Sequence, residues 1–232
     1  MSNNLNINVS DTSSHLEKIN KIIANEYGFT NSAIAGIPLD KNNNPLPLYT
    51  YPAIEYLASF DFINKKIFEF GSGQSTLYWL KNGGDVISVE SNQKWIDKLS
   101  SDLIDSKHQY IFADKQNDYV NSILKFPDFY FDLIIIDGIF SRYLCAKNVV
   151  SKIKKDGLVI LDNSDWYPNT AKFLKENLNF IQVDFYGLRP SRPEAAVTSL
   201  FFSREFDFKN KSERQPNYAI GGKIKHSNLD GI

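Results

Sequence analysis

One cysteine, one methionine and three histidines in 232 residues leave little room for the chemistries those side chains carry. Cys145 cannot form an internal disulfide by itself, and a lone thiol fits a reducing compartment. His15, His108 and His226 are widely separated, so a zinc site of the usual His and Cys type is not expected. Charge of either sign is also missing in surplus: 26 Lys and Arg face 27 Asp and Glu, for a net charge of -1. No basic field exists to hold a polyanion by counterion release, so nucleic acid and anionic membrane surfaces are not expected partners. The longest apolar runs, such as 133–136 and 158–161, fall far short of the roughly 20 residues of a membrane span. Residues 1–14 are polar and Asn-rich, with neither a basic nor an apolar signal region, so no secretory signal is expected. The expected location is the cytoplasm.

What the chain does have is core material, 42% hydrophobic and 14% aromatic residues, enough for one globular domain. Residues 1–11 lack periodicity, whereas 12–27 place Leu16, Ile19, Ile22 and Ile23 on one helical stripe, read as a cap helix. Residues 31–47 are rich in Gly, Pro and Asn and lead into a helix at 52–60. From Lys66 onward short apolar runs alternate with amphipathic segments. Strands are expected at 67–70, 85–89, 109–113, 132–136, 158–161, 180–185 and 197–203. Helices are expected at 75–81, 93–104, 116–124, 142–153 and 170–178. This alternation, with strands apolar on both faces, predicts an α/β fold of the doubly wound, Rossmann-like kind. The last two strands are joined by about eleven residues without a helix, so their pairing is expected to be antiparallel. The expected organisation is a cap and linker at 1–51, a domain at 52–208 and a polar tail at 209–232, mobile or lying across a neighbour.

The first strand ends in Glu69-Phe70-Gly71-Ser72-Gly73-Gln74-Ser75-Thr76, and a helix follows at once. Glycines at such a turn let the backbone approach a ligand, and the helix start offers free N–H groups. The second strand ends at Glu90, about 20 residues on, where an acid can accept both hydroxyls of a ribose. The third ends at Asp114, from which a carboxylate can reach an adenine amino group. A dinucleotide turn calls for a third glycine where Thr76 stands. Glu69, two residues before Gly71, suits the ammonium of a methionine moiety and not a pyrophosphate. These details favour S-adenosylmethionine over NAD.

Glu69-Phe70-Gly71-Ser72-Gly73, Glu90, Asp114 and Asp137 resemble motifs of the class I S-adenosylmethionine-dependent methyltransferases over about residues 52–204. The resemblance implies a seven-stranded, mostly parallel sheet with an antiparallel last strand. It implies cofactor contacts from Glu69, Gly71, Ser72, Gly73, Ser75, Glu90, Asp114 and Asp137.

A second acidic cluster follows. Asp137 ends the fourth strand and Asp162-Asn163-Ser164-Asp165 the fifth, at the edge where open α/β sheets bind ligands. Oxygen ligands of this kind suit magnesium or calcium. The arrangement resembles catechol-type and caffeoyl-coenzyme A-type O-methyltransferases, which makes Asp137, Asp162 and Asn163 candidate metal ligands. Where those families, or related ones, place a Lys or His three residues beyond the strand-four acid, this chain has Phe140; Asp165 is the alternative proton acceptor. Asp137-Gly138, Arg142, Cys145, Asp162-Asn163 and Tyr186-Gly187-Leu188-Arg189-Pro190 further resemble a bacterial group associated with cell-surface glycans, which makes a sugar hydroxyl the favoured acceptor.

Asp137, Arg142 and Asp165 are thus the expected catalytic groups, with Arg142 binding an anionic acceptor or pairing with Asp137 or Asp165. Trp166 and Tyr167 are candidates for sugar stacking, Trp95 for the core or for covering adenine, and Arg189 and Arg192 for an acidic acceptor or a solvated loop. The expected reaction is methyl transfer to an oxygen of a small molecule or glycan. The alternatives are an NAD(P)-dependent oxidoreductase and a non-catalytic S-adenosylmethionine-binding protein. A homodimer is compatible with the aromatic content.

Overall fold

A computed structural model describes residues 9–100 and 108–224. Its centre is a seven-stranded sheet in the order β3-β2-β1-β4-β5-β7-β6, formed by β1 (Lys66–Phe70), β2 (Asp85–Glu90), β3 (His108–Phe112), β4 (Phe131–Ile136), β5 (Ile153–Asp162), β6 (Ile181–Arg189) and β7 (Arg192–Phe202). The first five are parallel. β7 runs antiparallel to both β5 and β6. All six residues of β4 are buried, as expected of a central parallel strand covered on both faces.

Two apolar layers cover the sheet. One gathers Ile67, Leu133, Ile135, Leu158 and Ile160 with Trp79 and Leu57, from α4 (Gln74–Lys81) and α3 (Tyr51–Leu57). The other gathers Phe68, Phe70, Ile134, Ile136 and Val159 with Tyr119, Cys145 and Leu174. These come from α6 (Gln116–Asn121), α7 (Arg142–Val149) and α8 (Pro168–Leu178), while α5 (Gln93–Ser100) follows β2. Alternate residues of one strand thus go to opposite layers, the period-two rule of the pleat.

Several boundaries differ from the sequence reading. α7 stops at Val149, and Ile153 already pairs with Phe131, five residues before the expected strand. Lys152-to-Gly157 reads locally as a polar helix end, but pairing with β4 and burial of Ile153 decide it. The eleven-residue link before the last strand is a hairpin: β6 and β7 extend until Arg189 opposes Arg192 across Pro190-Ser191. β5 pairs only with 198–202 of β7. The outer part therefore has a partner on one side, and Pro193 falls at the register break, where its missing N–H costs no ladder bond. The expected helix 93–104 is described to Ser100, and its remainder, like residues 1–8, lies outside the described residues.

At the N-terminal end, α1 (Val9–Lys21) runs into a π turn, Ile22–Glu26, and a short α2 (Phe29–Ala35) stands inside the stretch read as a linker. Leu16 and Ile19 of the α1 stripe are exposed. Past Phe208, which is buried, the chain does not trail away: Asn210 bridges to Phe60. Further on, the Ile220 N–H donates to Glu55 Oε1 at 2.6 Å. Among the described residues no helix is long and apolar enough to cross a membrane.

Candidate functional site

The glycine turn leaves β1 at Phe70 with Gly71 at φ 102°. A Cβ on Gly71 would stand 3.2 Å from the Asp137 carbonyl oxygen, so the position needs glycine both for its dihedral and for the close pass of β4's end. Beneath the turn Glu69 is only 1% exposed. Its carboxylate accepts from the Thr76 hydroxyl at 2.5 Å and from the Ser75 hydroxyl. Burial pushes its carboxyl up to about 8 even though those two hydrogen bonds favour the charged form. Thr76 Oγ1 also accepts from the Gly73 N–H at 3.0 Å. The residue that departs from the dinucleotide pattern is therefore the one that ties turn, helix start and acid together.

Glu90, at the end of β2, is anchored from two sides. The Ser72 hydroxyl donates to Oε2 at 3.0 Å, and the N–H groups of Ser91 and Asn92 donate to Oε1 at 2.7 and 2.9 Å. The Trp95 indole N–H donates to the Ser72 carbonyl at 2.8 Å. Trp95 is half-buried at the turn, not in the core, because this hydrogen bond and the Lys98 ammonium over its ring hold it there. Asp114 is exposed, two residues beyond β3, and the neighbouring Ala113 N–H donates to the Glu90 carbonyl at 2.9 Å. Glu69, Gly71, Ser72, Gly73, Ser75, Glu90 and Asp114 thus share one edge of the sheet.

On the same edge, Asp137 accepts from Arg142 Nη2 at 2.9 Å. The same guanidinium donates through Nη1 to the Asp162 carbonyl and faces the Tyr167 ring at 4.4 Å. Asp162 is 1% exposed, and its Oδ1 accepts from the Thr198 hydroxyl at 2.7 Å. Burial and the Asp137 charge push its carboxyl up. Burial also raises Asp137, while Arg142 and then Arg189 pull it back. Asn163 is buried in the left-handed region at φ 49°, and its amide nitrogen has no hydrogen-bond partner.

As placed, Asp137, Asp162 and Asn163 do not fit a divalent ion, because Arg142 bonds the Asp137 carboxylate and the Asp162 carbonyl. Arg142 spans the gap between the β4 and β5 ends, so a divalent ion ligated by Asp137 and Asp162 would face a fixed guanidinium. Among the described residues no group of three or more His, Cys, Asp and Glu side chains is placed to hold a metal.

Tyr49 escapes the sequence reading. It is fully buried, its hydroxyl has no ordinary hydrogen bond, and it feels the charges of Glu69, Asp137 and Asp162 in that order. The next residue secures it: the Thr50 N–H donates to Thr198 Oγ1 at 3.0 Å, and the Thr50 hydroxyl to the Phe185 carbonyl at 3.1 Å. A tyrosine in a Pro-rich linker carries no periodic signal; only the tie to β6 and β7 sets it over the acids.

Beyond Arg142 opens a cavity of about 580 Å³, lined among others by Tyr143, Trp166, Tyr167, Lys172 and Phe173. Trp166 is 64% exposed. Asp165 does not join this group. It is exposed and lines a separate cavity on the far side of Pro168, with Lys175, Asp184 and Tyr186.

No protein-family model matches the chain, and no curated protein matches it. Solved structures do. A spermidine synthase in complex with the transition state analogue AdoDATO superposes with a TM-score of 0.52 at 15% identity, covering 78% of this chain and 70% of that one. A precorrin-6y C5,15-methyltransferase from Geobacter metallireducens GS-15 gives 0.51 at 13% identity, with 71% and 98% covered. The spermidine synthase from Thermotoga maritima gives 0.49 at 17% identity, and this chain spans only 59% of its length. At such identities the likeness establishes the fold, a Rossmann-like sheet of the kind these enzymes share.

Proposed function

We propose that the chain is an S-adenosylmethionine-dependent methyltransferase acting on an oxygen of a small molecule or sugar. The observation that carries this reading is the acidic glycine turn: Glu69 sealed beneath it and Glu90 hydrogen-bonded to Ser72 within it. The Glu90 carboxylate at this turn opposes a pyrophosphate and favours a ribose diol, and the buried Glu69 would be drawn into its charged form by a cationic ligand. S-adenosylmethionine supplies a methyl group already activated on a sulfonium. The chain's own task is then to bind, orient and exclude water.

In this reading Glu90 accepts the ribose hydroxyls, Asp114 the adenine amino group, and Glu69 with Ser75 and Asp137 faces the methionine end. Gly71, Ser72 and Gly73 let the backbone approach the ligand. Arg142 holds Asp137 in place and forms the wall of the aromatic cavity, where Trp166 and Tyr143 offer exposed faces for a sugar ring. Asp165 lines the other cavity, so proton removal is assigned to solvent or the acceptor's surroundings and not to that residue.

Calorimetry with S-adenosylmethionine, S-adenosylhomocysteine and NAD tests the reading. Binding of both sulfur compounds and not NAD is expected. NAD binding alone would reassign the turn to a dinucleotide. Binding of the sulfur compounds without transfer to any acceptor would leave a non-catalytic cofactor-binding protein.

A further inference from the structure

We propose that Arg189 is the seat for an anionic group, phosphate or carboxylate, on the acceptor; the proposal rests on the methyltransferase reading above. The β6–β7 hairpin extends beyond the sheet and packs over residues 50–52: a Cβ on Gly187 would stand 2.9 Å from Pro52 Cδ, and Phe185 accepts from Thr50. This arm delivers Arg189 to a position 7% exposed, where its charge reaches Asp137 on the cofactor edge. A solvated loop would leave the guanidinium in water.

The guanidinium is only half used. Nη2 donates to Glu194 Oε1 at 3.0 Å, while Nε is buried with no partner. Nε–H and Nη2–H form the side-on fork that matches the two oxygens of a carboxylate or phosphate. Glu194 takes one prong with a side chain 56% exposed to solvent. An incoming anion that displaces Glu194 gains both. Arg142 is unsuited to this role, since its donors already go to Asp137, Asp162 and Gly138. The inference is that Glu194 holds the fork until an anionic acceptor replaces it.

The test is calorimetry on the full chain, with and without saturating S-adenosylhomocysteine, using glucose 1-phosphate, glucuronate and uncharged glucose as probes. At least one anion should bind at least about tenfold more tightly than glucose, the size of one charge-assisted hydrogen bond. Whichever anion is preferred identifies phosphate or carboxylate. Arg189→Gln should abolish the preference, Arg189→Lys should weaken it through loss of the fork, and Glu194→Gln should strengthen it by removing the internal competitor. Circular dichroism checks that the Arg189 variants fold; if they do not, the surface variant Glu194→Gln decides by its sign. Anions binding no better than glucose, full anion affinity in a folded Arg189→Gln, or weaker binding in Glu194→Gln would overturn the proposal. Failure of S-adenosylhomocysteine to bind would count against the function and not the seat, because the titrations without it read Arg189 separately.

Discussion

The Asp162 carboxylate and the Thr198 hydroxyl are joined by a 2.7 Å hydrogen bond, and the same hydroxyl oxygen accepts from the Thr50 N–H at 3.0 Å. One side chain on β7 thereby ties the acid at the end of β5 to the linker that carries Tyr49 across the sheet edge. All three partners are buried. Thr198→Val keeps the shape but leaves a carboxylate and a backbone N–H without this partner. The expected loss is about 1–3 kcal/mol in urea unfolding. A change within experimental error would show that the tie is incidental.

Glu69 makes stability depend on pH in the sense opposite to a salt-bridged acid. Its folded carboxyl lies near 8, well above the ordinary value of 4.5. Its contribution is therefore fully present below about pH 4.5 and is lost as pH rises towards 8, because the unfolded chain gives up the proton first. The slope from this group is at most about 1.4 kcal/mol per pH unit. Glu69→Gln should flatten the profile across that window. An unchanged slope would show that Glu69 does not titrate there.

Replacing Glu90 by Ala removes the proposed ribose acceptor and the group that binds Ser72, Ser91 and Asn92. S-adenosylhomocysteine affinity should fall by about 1.5–3 kcal/mol. Asp114→Ala, at an exposed position, should weaken binding less than Glu90→Ala. Equal affinity in Glu90→Ala and wild type would move the cofactor elsewhere.

Arg142 bonds the Asp137 carboxylate and the Asp162 carbonyl, two of the residues read as metal ligands. Arg142→Met should destabilise the fold by up to about 3 kcal/mol, since Asp137 loses its partner while keeping some access to water. Magnesium or a chelator should leave the wild-type unfolding midpoint unchanged. A midpoint raised by magnesium in the wild type would show that Arg142 yields to the ion.

Gly71→Ala forces a Cβ into a backbone at φ 102°, 3.2 Å from the Asp137 carbonyl oxygen. Strain of this kind costs about 1–3 kcal/mol. Both the unfolding midpoint and S-adenosylhomocysteine affinity should fall. A fall in stability with full affinity would separate the turn from the ligand.

Much of this was open to reading from sequence. The runs 67–70, 132–136 and 158–161 announced a parallel sheet because a strand buried on both faces is mostly apolar, with Glu69 and Asp132 as the buried exceptions. Gly71 and Glu90 were visible because a tight turn and a strand-end acid have a fixed spacing along the chain. The helix-free link before 197–203 announced antiparallel pairing because a parallel crossover needs more chain. These are properties of local sequence and of distance along it.

Tertiary structure decided what local patterns cannot carry. Thr76 becomes a partner of Glu69 only once the helix start folds back over β1, and Tyr49 faces three acids only because Thr50 is tied to β6 and β7. Arg142 links the Asp137 carboxylate to the Asp162 carbonyl because α7 begins at the gap between two strand ends. Arg189 leaves the solvent because the hairpin continues past the sheet and packs on Pro52. In each case the partner lies tens of residues away or across an element boundary, and the energy that fixes the pair is burial and hydrogen bonding between segments that the sequence does not place side by side.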